Sequence, residues 1–260
     1  MAYIKCLRNV ISSTVPDGKT VTPTDVIATW LACGSRTEEY TTIGAVLADS
    51  TCLNALMASD NAVDYLVRST TFASDITSDS GAMTAIGLNN YCANTLLGDS
   101  TWCEAICNST YFESVLNVKV PTMTSNTTPS GVVSASSYIG ANGGYPWKAF
   151  SGSNDNFWMA GSASYPQWLA YTFANAVKIY AYAFRNETSG GHNMVKNYEI
   201  FADNVQIGGG LLTDETSGYN VREAVSTPTT GSTFKINLLD SYSTQWMNLR
   251  LVQFYGRADV

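Results

Sequence analysis

The chain has 260 residues, with 14 Lys plus Arg against 21 Asp plus Glu, a net charge of −7 and only 13% charged residues. That length holds one large domain or two ordinary ones, and 45% apolar residues suffice for a packed core. The acid excess offers no basic field to a phosphate backbone, which argues against a nucleic-acid partner, and the single histidine, His192, excludes sites built on two imidazoles.

The first residues, Met-Ala-Tyr-Ile-Lys-Cys-Leu-Arg, lack the apolar core of a signal peptide, and no window approaches 18 uninterrupted apolar residues. These features predict a protein that is neither exported nor membrane-spanning. Residues 1–20 read as extended, with a Pro16-Asp17-Gly18 turn, and suit either an arm that docks on a neighbouring subunit or an edge strand. Thr22-Pro23-Thr24 opens and Gly34 closes a predicted helix carrying Val26, Ile27, Trp30 and Leu31. Residues 1–48 form an N-terminal arm and first helix in this reading.

A ten-residue repeat follows over residues 49–119. A polar residue suited to helix capping recurs at Ser50, Asp60, Thr70, Ser80, Asn90, Ser100 and Thr110, and six positions after each stands an aliphatic: Leu56, Leu66, Ile76, Ile86, Leu96, Ile106 and Leu116. Positions two and three after the cap are mostly apolar, and with position six they share one face of a two-turn helix. Ser, Thr, Asp and Asn accept hydrogen bonds from the free amides of a first turn, so they favour a new helix every ten residues over one long helix. Helices this short are unstable alone and must bury that face against neighbours, which predicts a solenoid or helical stack serving assembly.

All six cysteines lie in this half, at positions 6, 33, 52, 92, 103 and 107. Cys52 and Cys92 share one repeat position, which favours buried thiols that fill a core; a metal site or a disulfide is the other reading. The runs Asp49-Ser50-Thr51, Ala82-Met83-Thr84-Ala85-Ile86 and Asp99-Ser100-Thr101 resemble the decads of bacteriophage tail and fibre proteins. That resemblance, over about 70 residues, implies a virion structural role, and a generic helical bundle is the plainer alternative.

After Val120-Pro121 cysteine disappears and the apolar period becomes two. Gln167 to Phe173, Val177 to Arg185, Asn197 to Ala202, Thr233 to Leu239 and Trp246 to Phe254 read as strands, which predicts an antiparallel sandwich or jelly roll over residues 120–260. The fold class is thus α+β multidomain: a short-helix repeat followed by an all-β jelly-roll sandwich.

Several blocks here resemble the discoidin, or coagulation-factor type C, domains, which share a galactose-binding-like jelly roll. They are Gly131 to Ser137, Pro146 to Gly152 with Trp158, Pro166 to Phe173 with Val177-Lys178-Ile179, Asn197 to Asn204, and Trp246 to Leu251. The resemblance implies ligand-binding loops at one end of the sandwich. It also implies a structural calcium beside an Asp, but this chain has Ser151 there, so no cofactor is expected unless Asn154 or Asp155 restores a calcium site.

Sugars are held by an aromatic face and a few polar groups. The expected carbohydrate-binding residues are Trp147, Arg185, Glu187, His192, Asn193 and Tyr219, with Tyr145, Phe157 and Arg222 nearby; Trp158 and Trp168 read as core. No nucleophile elbow, phosphate loop or dinucleotide fingerprint occurs, and Gly208-Gly209-Gly210 is followed by Leu-Leu, so a non-enzymatic protein is expected. The combined expectation is a bacteriophage virion structural protein, a head or tail fibre or decoration. It would form a homo-oligomer, a trimer in the fibre setting, with other virion proteins and a host-surface glycan as partners. A bacterial carbohydrate-binding module protein without a particle is the rival, and a sandwich that has lost sugar binding is a third reading.

Overall fold

The computed structural model describes residues 50–58, 60–68, 73–140, 143–186, 195–212, 220–242 and 246–258. The expected N-terminal arm and first helix lie outside them. The chain divides into two compact units between Leu116 and Asn117, three residues ahead of the boundary drawn from sequence.

The first unit contains short helices α1 (Ser50–Ala58), α2 (Asp60–Arg68), α3 (Ala73–Thr77), α4 (Ser80–Leu88), α5 (Asn90–Gly98) and α6 (Ser100–Asn108), then a 3-10 turn over Phe112–Ser114. Each packs on its neighbour in sequence, except across α2 and α3, and on the third helix along: α1 on α4, α2 on α5, α3 on α6. Three decads therefore make one turn of a solenoid. The bonds between turns span the corresponding distance in sequence. Trp102 Nε1 donates to the Leu66 carbonyl at 2.9 Å across 36 residues, and Ser109 Oγ to the Thr77 carbonyl at 2.5 Å across 32. On the surface, the Tyr91 hydroxyl donates to Asp64 at 2.9 Å across 27 residues.

The apolar stripe is buried as the spacing predicts. Ala82, Met83 and Ile86 in α4, Cys92, Ala93 and Leu96 in α5, and Trp102, Cys103 and Ile106 in α6 are all core residues. Leu66, Ile76 and Leu116 hold the same sixth position in their decads and are also buried. Cys92, Cys103 and Cys107 are buried within this core, with Cys92 Sγ 3.9 Å from Met57 Sδ. They pack as small apolar groups.

The caps themselves sit one residue earlier than the spacing suggested. Asp79 accepts from the Ala82 amide at 2.7 Å, Asn89 from Cys92 at 2.9 Å, and Asp99 from Thr101 and Trp102 at 3.0 and 3.1 Å, while Ser80, Asn90 and Ser100 are the first helical residues. Both positions are polar in every decad, so composition alone leaves the register open by one. The earlier residue has the extended backbone of a cap, and its Asp or Asn oxygen reaches the third amide of the helix. Asp99→Ala should lower stability by about 1 kcal/mol in urea unfolding, and Ser100→Ala should change it by a few tenths at most. A larger effect at Ser100 would restore the later register. The seventh decad forms no helix of this kind: Thr110 leads into the 3-10 turn.

The second unit is an antiparallel β-sandwich of eight strands: β1 (Val118–Lys119), β2 (Val132–Ala135), β3 (Trp158–Met159), β4 (Gln167–Asn186), β5 (Asn197–Ala202), β6 (Val205–Leu211), β7 (Asn220–Leu238) and β8 (Asn248–Arg257). The two strands expected at 167–173 and 177–185 are one long strand. β4 shifts register against β7 between Thr172 and Val177, and its halves serve different neighbours. The first half pairs with β2 and the end of β7; the second pairs with β8 and the start of β7. Both layers thus share β4 and β7, and a core of Phe150, Trp158, Leu169, Ile179, Phe184, Ile236, Leu249 and Phe254 fills the space between.

The blocks that carry the family resemblance meet in space. Ser136 Oγ and Ser137 Oγ both donate to Gln167 Oε1, at 2.5 and 2.6 Å, and Trp158 Nε1 donates to the Ser137 carbonyl at 2.9 Å. Three short motifs up to 31 residues apart are tied into one knot that fixes the loop after β2.

The triple glycine, unexplained by sequence, belongs to this packing. β6 passes over the rings of Tyr182 and Tyr198, and a Cβ at Gly208 or Gly210 would lie 3.1 Å from a ring atom or hydroxyl of these tyrosines. At Gly209, φ is +144° and a Cβ would fall 2.6 Å from the Tyr198 carbonyl, so only glycine fits there.

Candidate functional site

The site is built on the end of the ladder between β4 and β8. Arg185 and Arg250 are directly opposite one another, so their side chains leave the same face of the sheet. The ladder is irregular here. Between Ala183 and Arg185 on β4, β8 advances by one extra residue, and Leu251 takes φ +47°, a conformation uncommon outside glycine and an outlier for a bulky side chain. Such a bulge bends a strand and re-aims the neighbouring side chains.

The loop before β3 meets both arginines. Arg185 Nη1 donates to Asn154 Oδ1 at 2.7 Å, and Arg250 Nη1 donates to the Asn154 main-chain carbonyl. The Arg250 guanidinium lies 5.3 Å from the centroid of the Phe157 ring, a cation–π arrangement that also holds the ring in place. Arg185, Arg250 and Phe157 are half-buried and Asn154 is exposed. Two guanidiniums, an amide and a partly open aromatic ring are groups that hold sugar hydroxyls and carboxylates.

Asn154 does not fit a calcium ligand, because both its oxygens are turned to positive charge. Asp155 is exposed, with its amide bonded to Ser153 Oγ at 3.2 Å.

Of the residues expected from sequence, Arg185 stands in this cluster. Trp147 stands in a different setting: it is half-buried in the 3-10 helix Pro146–Phe150, packs on the sandwich core, and has Lys148 Nζ 5.9 Å over its ring. Glu187, His192, Asn193 and Tyr219 lie outside the described residues. Trp158 is fully buried, as its motif position implied, whereas Trp168 is only half-buried on β4. Arg222 is exposed on β7, opposite Ala183. Sequence reasoning missed Arg250 and Asn154 as partners of Arg185. The signal was present in Arg250, a charged residue inside an apolar strand block.

A second polar cluster is structural. The hydroxyls of Tyr182 and Tyr198 stand 3.2 Å apart, and both donate to Glu223 Oε2, at 2.7 and 3.2 Å. Burial, then the neighbouring Tyr198 and Glu223, holds the Tyr182 phenol protonated far above the ordinary tyrosine range, and burial raises Tyr171 as well. A folded-state pKa raised above 10.0 gives a stability contribution that is complete below pH 10 and fades as pH climbs beyond it. Tyrosinate absorbance near 295 nm should therefore show the Tyr182 phenol ionising only with unfolding. Tyr182→Phe should flatten the alkaline loss of stability; an unchanged alkaline limb would place the loss elsewhere.

The second unit has the antiparallel β-sandwich architecture of the jelly-roll class. Residues 132–251, which lie within the second unit, match the family model of the F5/8 type C domain. Among solved structures, the chain is similar to the family 32 carbohydrate-binding module of Clostridium perfringens NanJ in complex with galactose. There the identity is 20%, with 53% of this chain and 99% of that one covered, and the TM-score is 0.43. A second module from the same organism, in complex with GalNAc-β-1,3-galactose, gives 15% identity, 48% and 95% coverage, and a TM-score of 0.42. A fucolectin from striped bass (Morone saxatilis) serum gives 14% identity, 52% and 48% coverage, and a TM-score of 0.42. No curated protein matches the chain.

Proposed function

We propose that this is a non-enzymatic recognition and structural protein in which the F5/8 type C domain holds a glycan and the decad solenoid serves assembly within a bacteriophage virion. The observation that carries the glycan reading is the cluster of Arg185, Arg250, Asn154 and Phe157 at one end of a sandwich of this family. Guanidinium and amide groups orient hydroxyls, and the ring face supplies apolar contact. Glu187, His192, Asn193 and Tyr219 complete the binding loops in this proposal, with Trp147 as a flanking aromatic. The virion setting is supported by the repeated short helices, three of them capped at Asp79, Asn89 and Asp99, because solenoid repeats stack through their neighbouring faces. A homo-oligomer carrying many copies of the domain would multiply weak single-site affinity.

The test is binding of the full chain to an immobilised glycan set containing galactose- and GalNAc-terminated oligosaccharides, with native mass measured in parallel. Retention that is lost in Arg185→Ala and His192→Ala at an unchanged melting transition supports the glycan site. Retention that survives both substitutions excludes it. A mass of one chain at micromolar concentration removes the assembly reading and leaves a carbohydrate-binding module protein.

A further inference from the structure

In the loop that leads into β3, Ser151 stands where the family resemblance places an Asp beside calcium. Its hydroxyl is fully engaged within the loop: it donates to the Lys148 carbonyl at 2.8 Å and accepts from Asn156 Nδ2 at 3.0 Å and from the Ser153 amide at 3.4 Å. A hydroxyl has a single proton and two lone pairs, so nothing is left over for a metal. Ser153 Oγ accepts from the Asp155 amide at 3.2 Å, and the Ser153 carbonyl from the Asn156 amide at 3.4 Å. Both Asn154 oxygens are turned to guanidiniums, Oδ1 to Arg185 Nη1 and the carbonyl to Arg250 Nη1. Calcium gathers about six to eight oxygens, and a dication at Asn154 would be repelled by two positive charges at close range. The oxygens of this loop do not fit the ion.

Arg250 grips the loop at two points, three residues apart. It donates to the Asn154 carbonyl, and its Cζ stands 5.3 Å from the centre of the Phe157 ring. The first of these contacts is to main chain, so it does not depend on the side chain at 154, whereas Arg185 bonds the loop through the Asn154 amide oxygen. A guanidinium suits both contacts, because it is permanently charged, donates along a fixed fork and stacks on an aromatic face. The β8 bulge aims it: Arg250 is opposite Arg185 and immediately precedes Leu251, whose φ is +47°.

We propose that Arg250 is the positioning residue of the loop from Ser151 to Phe157, its guanidinium supplying the positive charge that the resemblance assigns to calcium, so that the loop is ordered without a metal. The inference concerns how the loop is held, and it stands whether or not this face binds a glycan.

Chymotrypsin cleavage of the full chain after Phe157, followed by fragment mass and compared in millimolar calcium chloride and in EDTA, tests the proposal, with thermal unfolding measured in parallel. The wild-type chain should be cut at the same rate and melt at the same temperature in both, whereas a bound ion would protect the loop and raise the midpoint. Protection or a higher midpoint in calcium overturns the inference, and that comparison needs no variant. Arg250→Gln should speed cleavage after Phe157 by about tenfold relative to the other chymotryptic sites, because the loop then opens locally. Arg250→Lys keeps the charge without the flat fork and should restore part of the protection. An unchanged rate in Arg250→Gln, or one raised equally at every site, shows that Arg250 does not hold the loop and overturns the assignment. Arg250→Lys cut as readily as Arg250→Gln overturns the role given to its charge.

Discussion

Gly87→Ala should destabilise the helical unit by about 3 kcal/mol or more, although alanine is the better helix former. A Cβ at Gly87, in α4, would lie 1.8 Å from the Ser114 carbonyl oxygen and 2.8 Å from its carbon, in the backbone of the 3-10 turn that packs on this helix. Real Cβ atoms do not approach so closely, and no side chain can swing aside to make room. The helix and the turn must part, which costs about 1–3 kcal/mol for ordinary overpacking and more where backbone is displaced. At roughly 4–8 °C per kcal/mol for a unit of this size, the unfolding midpoint should fall by more than about 10 °C. Gly98→Ala is the matched control. Nothing lies within 4 Å of its Cβ position, so the helix-propensity gain, up to about 1 kcal/mol, should appear without opposition. If both substitutions behave alike in thermal unfolding, the contact between α4 and the turn is not as described.

Trp158→Ala should cost the sandwich about 3–5 kcal/mol. The side chain is fully buried, so its loss combines the removed apolar transfer with the cavity left behind. Its Nε1 bond to the Ser137 carbonyl, part-buried, belongs to the knot with Gln167, and its loss adds about 0.5–1.5 kcal/mol. Trp158→Phe keeps most of the volume and removes the donor, so it should show the smaller, polar part alone. Denaturant unfolding of the two variants separates the contributions. The loop before β3 ends at this tryptophan, so Trp158→Ala should also weaken retention on any glycan that the Arg185 cluster holds. A variant that unfolds normally but keeps full retention would separate the loop from the site.

The repeat was legible because its signals are local. A polar residue every ten positions and an apolar residue six later are set by hydrogen-bonding chemistry and helical period, and Ile76, Ile86, Leu96 and Ile106 are all completely buried as that spacing requires. The order of the β blocks was legible for the same reason: alternation marks strands wherever one face is buried, as in β5, whose burial alternates residue by residue. β6 was hidden by Gly208-Gly209-Gly210, which reads as a loop until the tyrosines beneath it are known. The part of β7 ahead of Thr233, which ends in a Ser/Thr/Gly run with one Pro, was hidden likewise.

By itself, then, the sequence determined the two-part architecture, the period and buried face of the helices, and the resemblance of the sandwich blocks to a known family, because each follows from residue type at short spacing. Only the tertiary structure decided that three decads close one solenoid turn, that the caps fall at Asp79, Asn89 and Asp99, and that Arg185 faces Arg250 across a bulge and shares Asn154 with it. The solenoid turn and the arginine pair depend on which residues, 27 to 96 positions apart, come within reach of one another, and the caps on a choice between two adjacent polar residues. Chain spacing carries no record of such distances, because they are set by the register between strands and the pitch of the stack.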